Sequence, residues 1–307
     1  MKYIKILLFV SVIATSLVGC RNDDLDPNSI FDTTPPVRTE FDRWLIENYT
    51  VPFNINLVYR YSDRETSGTY NVIPAQEDKA RALAIMIRHI WLDAYKEALS
   101  ETFIRTYSPR VIQFIGSPQY NGTGSMTLGI AEGGLKISLL NVNSIDPDNI
   151  YIDTDNAIAE QGHKPIDLNY WFFHTMHHEF CHILTQTKDY PTDFNTISAG
   201  TYIPTDWHNK SDSEMIPEGF VSAYASEETN EDFAECYSYY VTHSEDAWQA
   251  LLTRAKDGST KIKKKMDIVR QYFHDSWEVE LDSIRSVVLT RTDDIRKGNV
   301  DIKNLKF

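Results

Sequence analysis

The chain has 307 residues, 42% of them hydrophobic and 24% charged, with a formal net charge of -14. That length and composition suit a folded protein with one large domain or two small ones. The acidic excess argues against nucleic acid or an anionic lipid surface as a partner.

The first residues read MKYIKILLFVSVIATSLVGC. Lys2 and Lys5 make a basic start, Ile6 to Ile13 an apolar core, and Leu17-Val18-Gly19-Cys20 a small-residue cleavage site. This is the pattern of a secretory signal over residues 1–19. The cysteine at the cleavage point resembles a bacterial lipobox, which makes Cys20 the expected lipidated N-terminus. No later apolar run reaches about 18 residues, so lipid alone is expected to hold the rest to the outer membrane. Residues 20–40 are polar, acidic and carry Pro35-Pro36, and read as a flexible tether. The acidic start resembles surface-export signals of some outer-membrane lipoproteins, which makes the cell surface an expected location.

Residues 41–307 are expected to form one α+β domain. Ile55 to Arg60 alternates and suits a strand. Glu77 to Leu99 is an amphipathic helix, with Leu83, Ile87, Ile90, Trp91 and Ala94 on one face. Val111 to Ile115 is a short apolar strand. Asn121-Gly122-Thr123-Gly124 marks a turn, and Met126 to Asn141 reads as two strands broken near Glu132-Gly133-Gly134. Ile137 to Leu140 is either a sheet edge, where an extended substrate could add as a strand, or part of an interior hairpin.

Leu168 to Asp189 contains no Gly or Pro and has helical spacing, with Asp167 or Asn169 as the cap. Inside it His178-Glu179-Phe180-Cys181-His182 forms an HExxH pattern. Residues four apart share a helix face, so His178 and His182 can offer imidazoles to one ion. Glu179 can then serve as general base toward a water, the arrangement of zinc proteases. His174, one turn earlier, is an outer-shell group or an unrelated partner. His177 points about 100° away and reads as packed or solvated.

Lys188 to Ser213 reads as a long loop walling the cleft. From Glu231 onward the pattern is helical, interrupted at Gly258, and Lys261 to Lys265 reads as an exposed basic face. A catalytic zinc wants three protein ligands and an open position, and no third His follows the motif closely. Thr229 or Asn230 can cap a helix carrying Glu231 and Glu235 four apart. These are either an acidic helix start favoured by the dipole, or a ligand, Glu231, with Glu235 as the acceptor for a ligand imidazole. Cys181 and Cys236 are either a disulfide or two buried thiols.

HHEFCH followed by GFVSAYASEETNEDFAE resembles the gluzincin-type metallopeptidases, whose third ligand is a Glu. In particular it resembles zinc-binding metallopeptidase lipoproteins found beside outer-membrane nutrient-import systems. The zinc domain of anthrax lethal factor is a more distant likeness. The matching is specific from Phe172 to Tyr239 and looser from Tyr95 to Asn143. It implies a zincin-like fold, Zn2+ as cofactor, and a peptide substrate. It implies His178, His182 and Glu231 as ligands, Glu179 as base, Glu235 as support for a ligand His, and Tyr224 as a phenol facing the metal. Cys181 departs from the Gly or Ala usual there. A non-catalytic, zinc-stabilised subunit of an import complex is the alternative, and the intact Glu179 favours the enzyme.

Overall fold

The computed structural model describes residues 37–61, 71–120, 126–127, 129–132, 135–160 and 162–306, the backbone alone at 126–127 and 129–132. The signal segment, Cys20, most of the tether, the Asn121 turn and the Gly133-Gly134 break lie outside them. Residues Thr39–Phe307 pack as one unit.

Thr39 precedes the first described helix. Its hydroxyl accepts from Asp42 N, while the Asp42 carboxylate accepts from Thr39 N, a reciprocal cap that starts α1 (Glu40–Leu45). The helix continues through a π-helical turn to Val51–Phe53 and turns into β1 (Asn56–Val58). The expected long amphipathic helix is present as α2 (Glu77–Ile87), a π-helical turn at Arg88–Leu92, and α3 (Asp93–Ala98). Leu83, Ile87, Ile90 and Trp91 are fully buried, as their spacing demands. Ser100 caps α4 (Glu101–Tyr107) by accepting from Phe103 N.

The sheet is β1, β2 (Val111–Phe114), β6 (Lys136–Leu139) and β5 (Gly129–Glu132), in that order. β1–β2 and β2–β6 are parallel, and β5–β6 is antiparallel. A separate two-stranded ladder joins β3 (Gln119–Tyr120) to β4 (Met126–Thr127). Ile137 therefore lies in an interior strand paired on both sides, and the edge beside it is β5. Every residue of β6 is buried, as expected of a strand covered on both faces.

Helix α5 (His174–Thr187) packs against β5 and, most extensively of any pair, against α8 (Thr229–Thr242). Between them the chain makes two short helices, α6 (Phe194–Ile197) and α7 (Asp212–Met215), and 3-10 turns, including Tyr224–Ser226. After α8 come α9 (Glu245–Ala255), α10 (Ser259–Trp277) and α11 (Leu281–Arg296). α8 also packs on α10 and α11, so it is enclosed on several sides. Among the described residues no helix is long and apolar enough to cross a membrane.

The basic run is not the exposed face its composition suggests. Lys263 and Lys264 are exposed, but Lys265 is fully buried, its ammonium 2.6 Å from Asp232 Oδ2 and 2.8 Å from the Gly219 carbonyl. It falls three residues after Ile262 on the apolar side of α10, where a charge persists only if paired. Gly219 has φ +100, a left-handed conformation that suits a residue without Cβ, and any Cβ there would meet the Lys261 side chain.

Candidate metal centre

The helical run that leads into α5 starts just after Asp167. The Asp167 Oδ1 accepts from Asp153 N and Asn169 N, both at 2.9 Å, so Asp167 supplies the cap. Burial lifts its pKa to about 6 against these backbone donors. Asn169 instead donates to Asp153 O and Thr242 O, tying the start of the metal helix to the end of α8. A π-helical turn, Asn169–Phe173, then leads into α5, a widening that recurs near functional sites. Opposite the histidines, Phe180 is fully buried, edge-on to Trp91 at 5.2 Å and Tyr95 at 5.0 Å. That anchor fixes the rotation of α5 and so the direction of its polar face.

His178 and His182 stand on that face. Their Nε2 atoms are 3.0 Å apart. Glu231, in the first turn of α8, puts Oε2 2.9 Å from His178 Nε2 and 3.3 Å from His182 Nε2. The side chains are nearly buried, at 6%, 15% and 16% exposure, so a small opening to solvent remains. Glu235, one turn along α8, accepts from His178 Nδ1 at 2.8 Å. Neither Thr229 nor Asn230 caps this helix. Glu228 occupies the cap position without a side-chain bond, and Asn230 accepts from the Tyr190 hydroxyl.

The donor set fits a cation. Glu235 holds the Nδ1–H tautomer of His178, which leaves an Nε2 lone pair facing the Glu231 carboxylate. Two lone-pair bearers at hydrogen-bond distance repel unless a proton or an ion lies between them. Atoms sharing a tetrahedral zinc with bonds of about 2.0–2.1 Å sit roughly 3.3 Å apart, close to the separations seen. His178, His182 and Glu231 thus form one of two candidate metal groups among the described residues. The other, His174, His178 and Glu235, uses the nitrogen of His178 that faces away from the first.

Charge in the site follows from these contacts. Burial pushes the Glu231 carboxyl up, but the neighbouring His178 and His182 imidazoles outweigh it and hold the group far below its usual range. Burial likewise raises Glu235, and the His174 and His178 imidazoles pull it well down. For His178, burial opposes protonation, while Glu231 and Glu235 favour it more strongly. Glu179 is raised by burial, with the two histidines opposing, a direction that suits a residue that accepts and returns a proton.

Tyr224 belongs to this cluster. Its ring lies 5.6 Å from that of His178. Burial and the nearby Glu231 carboxylate push its phenol pKa far up, so it remains an O–H donor. Trp207, from the 188–213 segment, packs against the same ring at 4.8 Å. The sequence reading did not single out Trp207, and only its place in a loop expected to wall the cleft pointed there.

His174 meets the same carboxylate as His178. Its Nε2 lies 2.8 Å from Glu235 Oε1 and 3.2 Å from Ser238 Oγ. His177 is packed, with Nδ1 2.7 Å from the Tyr95 hydroxyl and no partner at Nε2 among the described residues. Cys181 and Cys236 are both buried free thiols.

An α+β fold with this small mostly parallel sheet and a helix-borne histidine pair met by a carboxylate defines a metallopeptidase-type architecture. The chain belongs to the family described as "Putative zinc-binding metallo-peptidase", whose model matches residues 34–282. It is also similar to a crystal structure described as a putative zinc-binding metallo-peptidase from Bacteroides caccae, with 37% identity and a TM-score of 0.70. That match covers 91% of this chain and 100% of the other. A comparison with curated proteins found no match.

Proposed function

We propose that the chain is a gluzincin-type zinc peptidase, displayed as a lipoprotein, that hydrolyses peptide bonds with a water. The observation that carries this reading is the meeting of His178, His182 and Glu231, with Glu235 behind one ligand and Tyr224 in front. Zn2+ bound there supplies Lewis acidity, which lowers the pKa of a water toward about 7 and polarises a carbonyl. Glu179 accepts the water proton and delivers it to the nitrogen of the leaving amine. Tyr224 donates its phenol O–H to the carbonyl oxygen as charge develops there. Glu235 keeps His178 in one tautomer and orientation throughout. A site that served only to join two helices would need neither Glu179 nor Tyr224.

The family description and the zinc-binding neighbour support the metal, and the N-terminal pattern supports export and attachment through Cys20. An outer-membrane import complex is the proposed neighbour of the anchored enzyme, and a peptide its substrate.

Incubation of the zinc-loaded protein with a diverse peptide library, read by mass spectrometry, tests the activity. Cleavage that disappears in Glu179→Gln while zinc stays bound is the expected result. Unchanged cleavage in that variant removes Glu179 from the mechanism. Full zinc occupancy in Glu231→Ala would strike Glu231 from the ligands.

A further inference from the structure

Ser222 lies in the short connection between α7 and the Tyr224–Ser226 turn, and nothing in its sequence surroundings marks it. In the fold its hydroxyl does two things. It donates to Glu235 Oε2 at 2.5 Å, and it accepts from Ala225 N at 3.0 Å. The first bond reaches the carboxylate that orients His178. The second closes the backbone turn in which Tyr224 sits.

Glu235 is thereby held at three points by two segments. His178 Nδ1 and His174 Nε2, both from α5, are at 2.8 Å from Oε1. Ser222 takes Oε2. With both oxygens engaged, a displacement of the carboxylate moves the imidazole on one side and the turn on the other. The turn has other tethers, Ala223 N to Asp212 Oδ1 at 2.7 Å and Ile203 N to Ser226 O at 2.7 Å. These fix its ends, and the Ser222 bond joins it to the carboxylate that accepts from His178.

We propose that Ser222 is a positioning residue that couples the Tyr224 phenol to the His178–Glu235 pair, so that the oxyanion donor and the metal ligand are set by a single carboxylate. The proposal rests on the peptidase reading only for the role of Tyr224. The link from Ser222 to His178 stands apart from it. A donor misplaced by a fraction of an ångström loses much of its effect on developing charge. Loss of Ser222 should therefore reduce the benefit of the phenol without removing the ion.

The test uses the full protein as wild type, Ser222→Ala, Ser222→Thr, Tyr224→Phe and the double variant Ser222→Ala/Tyr224→Phe. Each is measured for affinity toward a phosphinic peptide, for zinc affinity by chelator competition, and for the visible spectrum after Co2+ substitution. Ser222→Ala is expected to weaken phosphinate binding about 10-fold, and Tyr224→Phe about 100-fold. The double variant should match Tyr224→Phe alone within about twofold, because the serine acts through the tyrosine. Ser222→Thr, which keeps the hydroxyl, should stay near wild type. Losses that multiply in the double variant overturn the proposal, as does a Ser222→Thr variant that falls with Ser222→Ala. If wild type neither cleaves peptides nor binds the phosphinate, the peptidase reading fails and the cobalt spectrum decides the serine. A band shift in Ser222→Ala that Ser222→Thr restores supports the link to His178, and an unshifted band rejects it.

Discussion

Glu235 carries more of the centre than a place outside the candidate ligand set suggests. It is buried, accepts two imidazole donors on one oxygen, and fixes which nitrogen of His178 is free. Replacing it with Ala should lower zinc affinity about 10- to 100-fold, checked by competition with a chromogenic chelator; unchanged affinity would remove its orienting role. His243 gives a pH-dependent counterpart away from the ligands. It is stacked on Tyr239 at 4.0 Å, and burial lowers its pKa from 6.5 to about 4. The unfolded chain takes up this proton first as pH falls, so stability present above 6.5 is lost between 6.5 and about 4. The slope from this residue is about 1.4 kcal/mol per pH unit. Urea denaturation at pH 7 and 5 should show a smaller acid loss in His243→Gln than in wild type. At this scale the sequence exposed what is local. His178 and His182 lie four apart on one helix, and the motif itself named Glu179. Glu231 was one of two readings of its helix start, and Tyr224 needed the family resemblance, because their register with the histidines exists only after α8 docks on α5. Ser222 was invisible, since a serine in an aperiodic stretch looks the same whether or not a carboxylate folds over it.

At the scale of elements, α8 is held from below by Lys265. Asp232 and Lys265 are both at 0% side-chain exposure, and Asp232 also accepts from the Tyr202 hydroxyl at 2.9 Å. Removing one partner leaves an uncompensated buried charge, so Lys265→Ala should cost about 3–5 kcal/mol. Replacing both partners with apolar residues of similar volume should cost less than the two single changes added together. Chemical denaturation of the three variants measures this. Phe180→Ala should cost about 3–5 kcal/mol through the cavity it leaves among Trp91, Tyr95 and Phe103. A zinc affinity that drops with it would show that the apolar anchor sets the ligand face. The helices were legible because their apolar period survives any docking. The strand order was not, since hydrogen-bond neighbours such as β2 and β6 are distant in sequence. Lys265 was misread because four lysines in five residues look solvated, although its spacing from Ile262 and Met266 placed it on the buried side.

For the molecule as a whole, the core runs without a break from α1 through the sheet to α11, so the fold does not depend on the ion for its interior. Chelation should leave far-ultraviolet dichroism intact while lowering the melting temperature. Free zinc at about 100 times its dissociation constant should restore roughly 2.7 kcal/mol. Collapse of the dichroism on chelation would make the metal structural. The segment 188–213 is anchored beside the candidate site. Tyr190, Tyr202 and Ile203 tie it to Asn230, Asp232 and Ser226, residues that flank Glu231 and Tyr224. Under the proposed function, selectivity and metal retention would share these footings: an engineer who grafts a foreign segment between Tyr190 and Trp207 to change the substrate should find that zinc affinity changes with it.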